Sequence, residues 1–86
     1  MDVKPKVLLV DDEPLVLESL SEIVRRDGKY QVDLAENGNA GLHKIAQEDY
    51  AVIITDLMLK DITGIDLLKA VKAQSPETQV IMVSGK

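Results

Sequence analysis

The sequence predicts an α/β domain built on an open, doubly wound parallel sheet, and three observations carry that prediction. Short apolar runs alternate with amphipathic stretches in the order βαβαβαβ, a pattern that gives a parallel sheet with helices on both faces. Two of the runs, Val7-Leu8-Leu9-Val10 and Ala51-Val52-Ile53-Ile54, are continuously apolar, as in strands buried on both faces. The connections are too short for a barrel of eight such units, so the sheet is expected to stay open, with strand order 2-1-3-4.

The elements follow in turn. Val7–Val10 is the first strand, and Asp11-Asp12-Glu13-Pro14 opens a helix. Pro14 suits its first turn, where a missing N–H costs nothing, and Asp12 is expected to cap it. Val16, Leu20, Ile23 and Val24 recur at helical spacing, and Arg25, Arg26 and Gly28 close the helix with cations at its negative end. Tyr30, Val32 and Leu34 alternate with polar residues as a second strand. Glu36-Asn37-Gly38-Asn39 reads as a turn. A second helix is expected from about Ala40 to Glu48, with Leu42, Ile45 and Ala46 inward. The third strand ends at Thr55-Asp56, and residues 57–63 form a loop. Ile65, Leu68 and Val71 mark a third helix, which Ser75-Pro76 ends. Gln79–Val83 is a fourth strand, followed by Ser84-Gly85-Lys86.

Composition narrows the function. At 86 residues the chain is one domain, with no repeat, linker or low-complexity tract. Hydrophobic residues make up 45%, too many for a disordered chain, and with two Tyr and no Phe or Trp the core must be aliphatic. Ten basic against fifteen acidic residues give a net charge of −5, which argues against direct nucleic-acid contact, since phosphate-binding surfaces need clustered Lys and Arg. The absence of Cys excludes disulfides and thiolate metal sites. No apolar run has signal-peptide character or membrane-spanning length. Together these features lead us to expect a cytoplasmic protein without membrane contact.

Chemistry is expected where an open α/β sheet binds ligands, beyond the carboxyl ends of its strands at the point where strand order reverses. In the order 2-1-3-4 that point lies between the first and third strands, so Asp11, Asp12 and Asp56 converge there. Three carboxylates in one cleft repel each other, and a hard divalent cation relieves the repulsion. Mg²⁺ takes one or two carboxylates, keeps waters and accepts phosphate oxygens, which suits phosphoryl transfer. Asp56 is placed to act as nucleophile and form an acyl phosphate. Ser84, at the end of the fourth strand, would donate its hydroxyl to a phosphoryl oxygen there.

Three blocks resemble the receiver domains of response regulators. Val7-Leu8-Leu9-Val10-Asp11-Asp12-Glu13-Pro14 is similar to their opening. Asp56-Leu57-Met58-Leu59, followed by Gly64, is similar to their phosphorylation loop. Val80-Ile81-Met82-Val83-Ser84-Gly85 is similar to their fourth strand and switch hydroxyl. The resemblance covers the whole chain and implies a flavodoxin-like fold and a place in a two-component phosphorelay. It implies that Asp11, Asp12, Asp56 and the backbone carbonyl of Met58 hold Mg²⁺. Asp56 would accept the phosphoryl group from a sensor histidine kinase or phosphotransfer protein, and Ser84 would contact it and switch partner interactions. The Met58 side chain is left free to tune access of water.

The chain also departs from the family pattern. Receiver domains have five βα units, so residues 1–86 are expected to be the N-terminal part of one receiver domain, with no second domain. The fifth-strand lysine and aromatic switch residue have no counterpart, and Lys86, two residues past Ser84, does not match that lysine. The fourth strand, with Val80, Ile81, Met82 and Val83, is expected to present an apolar edge that favours homo-oligomers. Lys60 stands where proline is usual, and Thr63 where an acidic or small residue often precedes the glycine. Both read as surface changes in the loop.

Other residues read more plainly. Asp61, Asp66, Lys69, Lys72 and Lys86 are solvated charges, Met58, Leu67 and Leu68 are packing residues, and His43 is a lone surface histidine. Two competing functions remain: a receiver-fold fragment that binds Mg²⁺ and self-associates without switching, and a Mg²⁺-dependent phosphohydrolase. Against the hydrolase, Leu57 and Met58 follow Asp56, so no Asp-x-Asp pair supplies a general acid.

Overall fold

A computed structural model of the chain describes residues 3–83; Ser84 and Lys86 lie outside the described residues. The elements are β1 (Lys6–Val10), α1 (Pro14–Arg26), β2 (Gln31–Ala35), α2 (Gly38–Gln47), β3 (Val52–Asp56), α3 (Gly64–Gln74) and β4 (Gln79–Val83). The strands form one sheet in the order β2-β1-β3-β4, all pairs parallel. Val10 lies opposite both Ala35 and Thr55, and Asp56 opposite Val83. The carboxyl ends of the strands are therefore level, and the residues that follow them share one rim.

Alternation along β1 explains the continuous apolar run. Leu8 and Val10 face a core completed by Ile45 of α2 and Leu67 and Val71 of α3, with Ala35, Tyr50, Ile53 and Leu59. Val7 and Leu9 face the other side, against Leu17, Leu20 and Val24 of α1. Each side chain fully buried in this way contributes about 1.5–3 kcal/mol of transfer free energy.

The helices differ from their sequence expectation in detail. The N-cap of α1 is Glu13, not Asp12, and it makes no side-chain cap bond. Asp12 lies one residue too early to serve and turns its carboxylate to the loop after β3. The buried stripe of α1 runs through Leu17 and Ser21, with Leu20 and Val24 half-buried, whereas Ile23 is exposed. Ser21 was obscured because it is polar; its hydroxyl donates to the Glu18 carbonyl and so loses nothing on burial.

Helix α2 starts at Gly38, earlier than expected, with Asn37 as N-cap accepting the Ala40 N–H at 2.7 Å. Ala46 is exposed rather than inward. In α3, Leu67 and Val71 form the buried face, while Ile65 is exposed. Thr63 and Asp66 form a reciprocal capping box. Asp66 is thus a structural residue and not merely a solvated charge.

The amino ends of the strands are fixed by polar contacts away from the rim. Tyr50 is buried and donates its hydroxyl to Asp33 at 2.7 Å, and Thr78 donates to the Tyr50 carbonyl. Burial, together with that bond, holds the Tyr50 hydroxyl protonated far above the usual tyrosine range. Lys6 pairs with Glu48 beside it.

Candidate functional site

At the rim formed by the carboxyl ends of β1 and β3, Asp11, Asp12 and Asp56 bring one carboxylate oxygen each within 4.8 Å of one another. Asp11 follows β1 directly and is buried; Asp12 and Asp56 are half-buried. The arrangement follows from register: β1 and β3 are neighbours, and Val10 is level with Thr55. The sequence expectation for these three residues and the observed geometry coincide.

Each carboxylate is held by a backbone N–H. Asp11 Oδ1 accepts from Glu13 at 2.8 Å, Asp56 Oδ1 from Met58 at 3.1 Å, and Asp12 Oδ2 from Lys60 at 3.0 Å. A carboxylate has room for further partners on both oxygens, so these bonds fix orientation without exhausting the site. Burial raises the Asp11 pKa above the ordinary carboxylate range; the Glu13 N–H pulls it back, and the charges of Asp56 and Asp12 push it up again. Among the described residues these three form the one acidic or histidine cluster with metal-binding spacing. An all-oxygen donor set with clustered negative charge fits a hard cation such as Mg²⁺, which takes few carboxylates and leaves positions for waters and phosphate oxygens.

The loop between β3 and α3 is more closely tied than the sequence indicated. A bridge joins Met58 to Thr63, and Leu59 is buried in the core. The Met58 side chain is 66% exposed beside the cluster, so it is not the packing residue that its apolar character suggested. Lys60 departs from the proline usual in receiver domains, and its backbone N–H is the donor to Asp12. The signal was present in the sequence, because any residue other than proline brings an N–H to that position.

Asp61 was read as solvated, yet its carboxylate accepts the Gly38 N–H at 2.9 Å and the Asn39 N–H at 2.8 Å. The Asn39 bond foremost, then that of Gly38, holds its pKa below the ordinary value. Two free N–H groups at a helix start are ready acceptor sites for a carboxylate. Nothing in the local sequence around Asp61 shows this contact, since its partner lies in another element.

The level carboxyl ends, the order β2-β1-β3-β4 and an acidic cluster at the switch point define a flavodoxin-like fold of receiver type. Residues 7–86 match the family described as the response regulator receiver domain, and the chain belongs to that family. It is 34% identical over 82 residues to the uncharacterized transcriptional regulatory protein YesN of Bacillus subtilis, covering 93% of this chain and 22% of that protein. It is 32% identical over 85 residues to a nitrate/nitrite response regulator protein homolog of Haemophilus influenzae, covering 98% of this chain and 41% of the relative. The chain thus spans less than half the length of these relatives.

Among solved structures, the chemotaxis response regulator CheY4 of Vibrio cholerae superposes with a TM-score of 0.84 at 33% identity, over 93% of this chain and 68% of that one. The response regulator TrrA of Thermotoga maritima, solved in complex with Mg²⁺-BeF, gives a TM-score of 0.88 at 29% identity, over 95% and 70%. Among the described residues, no helix is long and apolar enough to cross a membrane.

Proposed function

We propose that this receiver domain accepts a phosphoryl group on Asp56 from a phosphohistidine of a sensor kinase or phosphotransfer protein, with Mg²⁺ held by Asp11, Asp12, Asp56 and the backbone carbonyl of Met58. The single observation that carries this reading is the convergence of the three carboxylates at the switch point of the sheet. A bound cation would neutralise the charge that builds on the phosphoryl oxygens. The chain's own residues do the rest. The Met58 N–H fixes one oxygen of Asp56, leaving the other to attack phosphorus. The P–N bond of the donor breaks, its electron pair returns to the imidazole nitrogen, and an aspartyl phosphate forms. Buried Asp11 and half-buried Asp12 present carboxylate oxygens toward the cation position.

Ser84 would contact the phosphoryl group from the end of β4 and report its presence to partners. Exposed Ile81 and Val83 leave an apolar surface on β4 that suits a second copy of the chain. The acidic charge balance supports protein partners over nucleic acid for this chain.

The test is intact mass after incubation with Mg²⁺ and acetyl phosphate, with Asp56→Ala in parallel. The expected result is one phosphoryl adduct on the wild type and none on the variant. An adduct that survives in Asp56→Ala would sink the assignment.

A further inference from the structure

We propose that Lys60 and Asp61 form a clip in which the Lys60 backbone N–H positions Asp12 for the cation and the Asp61 carboxylate links that position to the first turn of α2. The inference rests on the metal-binding reading of the cluster and goes beyond it by assigning a positioning residue and a route out of the site.

The geometry has two halves back to back in sequence. On one side, the Lys60 N–H donates to Asp12 Oδ2 at 3.0 Å and so ties the loop to a carboxylate on a different strand end. On the other side, Asp61 Oδ1 and Oδ2 accept from Gly38 and Asn39. Asp61 Oδ1 also accepts from Ile62, which locks the carboxylate to its own backbone.

The α2 end leaves no slack. A Cβ at Gly38 would overlap Ile62 Cγ1, so the loop packs against bare backbone there. Gly41, one turn on, rests against Val10 and Leu67 of the core. Any shift of residues 60 and 61 must therefore be shared with the start of α2 or break two charge-assisted bonds.

Asp12 is half-buried at the rim and follows no strand directly, so its orientation depends on the bond it receives. The N–H donor fixes the rotamer of the Asp12 carboxylate, and that preorganisation favours cation binding. A cation that draws on Asp12 in turn draws on the Lys60 N–H. The displacement passes to Asp61 and reaches the Gly38 and Asn39 amides.

The experiment is a Mg²⁺ titration followed by amide resonances of the uniformly ¹⁵N-labelled chain, on wild type, Lys60→Ala, Lys60→Pro and Asp61→Ala. Lys60→Ala keeps the N–H and removes only the side chain, whereas Lys60→Pro removes the donor. Lys60→Ala is expected to match the wild type. Lys60→Pro is expected to bind Mg²⁺ about 3–10-fold more weakly, the size of losing one partly exposed charge-assisted bond, and to lose the Mg²⁺-dependent shifts at Gly38 and Asn39. Asp61→Ala is expected to keep Mg²⁺ affinity within about twofold yet lose the α2 shifts, a split that follows from Asp61 being the link beyond the positioning bond.

Wild-type affinity and α2 shifts in Lys60→Pro would overturn the clip while leaving the metal site intact. If Lys60→Pro does not fold, α2 shifts of wild-type size in Asp61→Ala would overturn it equally. No Mg²⁺ binding by the folded wild type would overturn both the clip and the reading of the site.

Discussion

At the scale of single residues, Asp11 carries the conflict between folding and function. It is buried, and its raised pKa arises first from desolvation, then from the like charges of Asp56 and Asp12, against the stabilising Glu13 N–H. A carboxyl whose pKa is raised on folding favours the folded state below its ordinary range, near pH ~4, and that contribution is lost as pH rises through the folded value. At neutral pH the ionised group therefore works against the fold until a cation compensates it. Asp11→Asn keeps an oxygen for the Glu13 N–H and removes the charge. It is expected to melt higher than wild type in EDTA, about 1 kcal/mol corresponding to ~4–8 °C for a domain of this size. Mg²⁺ is expected to raise the melting temperature of the wild type and not that of the variant. Thermal melts in EDTA and in excess Mg²⁺ check both halves; a variant that still gains from Mg²⁺ would remove Asp11 from the ligand set.

At the scale of elements, the start of α2 is a joint product of local and distant chemistry. Asn37 caps it from within, and Asp61 caps it from the loop after β3. The Asp61 carboxyl has a lowered pKa, so its support is present above the ordinary aspartate range and is lost as pH falls through the depressed folded value. Asp61→Asn is expected to flatten the acid limb of the stability–pH profile below pH ~4 while changing the fold little. Urea midpoints from pH 2 to pH 7 measure it, and an unchanged acid limb would count against the contact. The same helix shows what the sequence could and could not tell. Its existence was legible from Leu42 and Ile45, but its start was read two residues late because Gly38 and Asn39 look like turn residues. They are helical because an acceptor from residue 61 satisfies their N–H groups, and no local pattern encodes that. In α1 the polar Ser21 hid the buried stripe, which runs through Leu17 and not through the expected Ile23. By contrast, β1 and β3 were legible almost to the residue from their continuous apolar runs, and β2 from its alternation with polar residues. The acidic cluster was legible in turn, because strand ends fix it. The role of the Lys60 N–H was only half legible: a residue other than proline shows that a donor is available, but not that Asp12 is its acceptor.

At the scale of the whole molecule, the acidic rim and the polar contacts of Tyr50, Asp33 and Thr78 occupy opposite ends of the strands. Substitutions at the rim are therefore free to alter chemistry without disturbing what fixes the other end. The exposed Ile81 and Val83 on β4 add a different property of the chain as a whole. The 86-residue chain is expected to associate with itself at high concentration, and Ile81→Lys to reduce that association, because a charge on an apolar strand opposes pairing. Light scattering across a concentration series checks this, and a monomer throughout would dismiss the β4 surface as a self-association site.

The central place of β1 bears on how the molecule comes to exist during synthesis. It is made first of the four strands, yet its neighbours are β2, with Lys6 opposite Gln31, and β3, with Val7 opposite Val52. No strand pair is joined by a short turn, so loop closure over a full helix-containing segment precedes every pairing. One edge of β1 can pair once β2 has been made, and the other stays open until β3 follows. Folding dominated by such distant pairings is slow and exposes strands to wrong partners. The same central position that brings Asp11 beside Asp56 therefore makes the time before β3 emerges the vulnerable interval in the life of this chain.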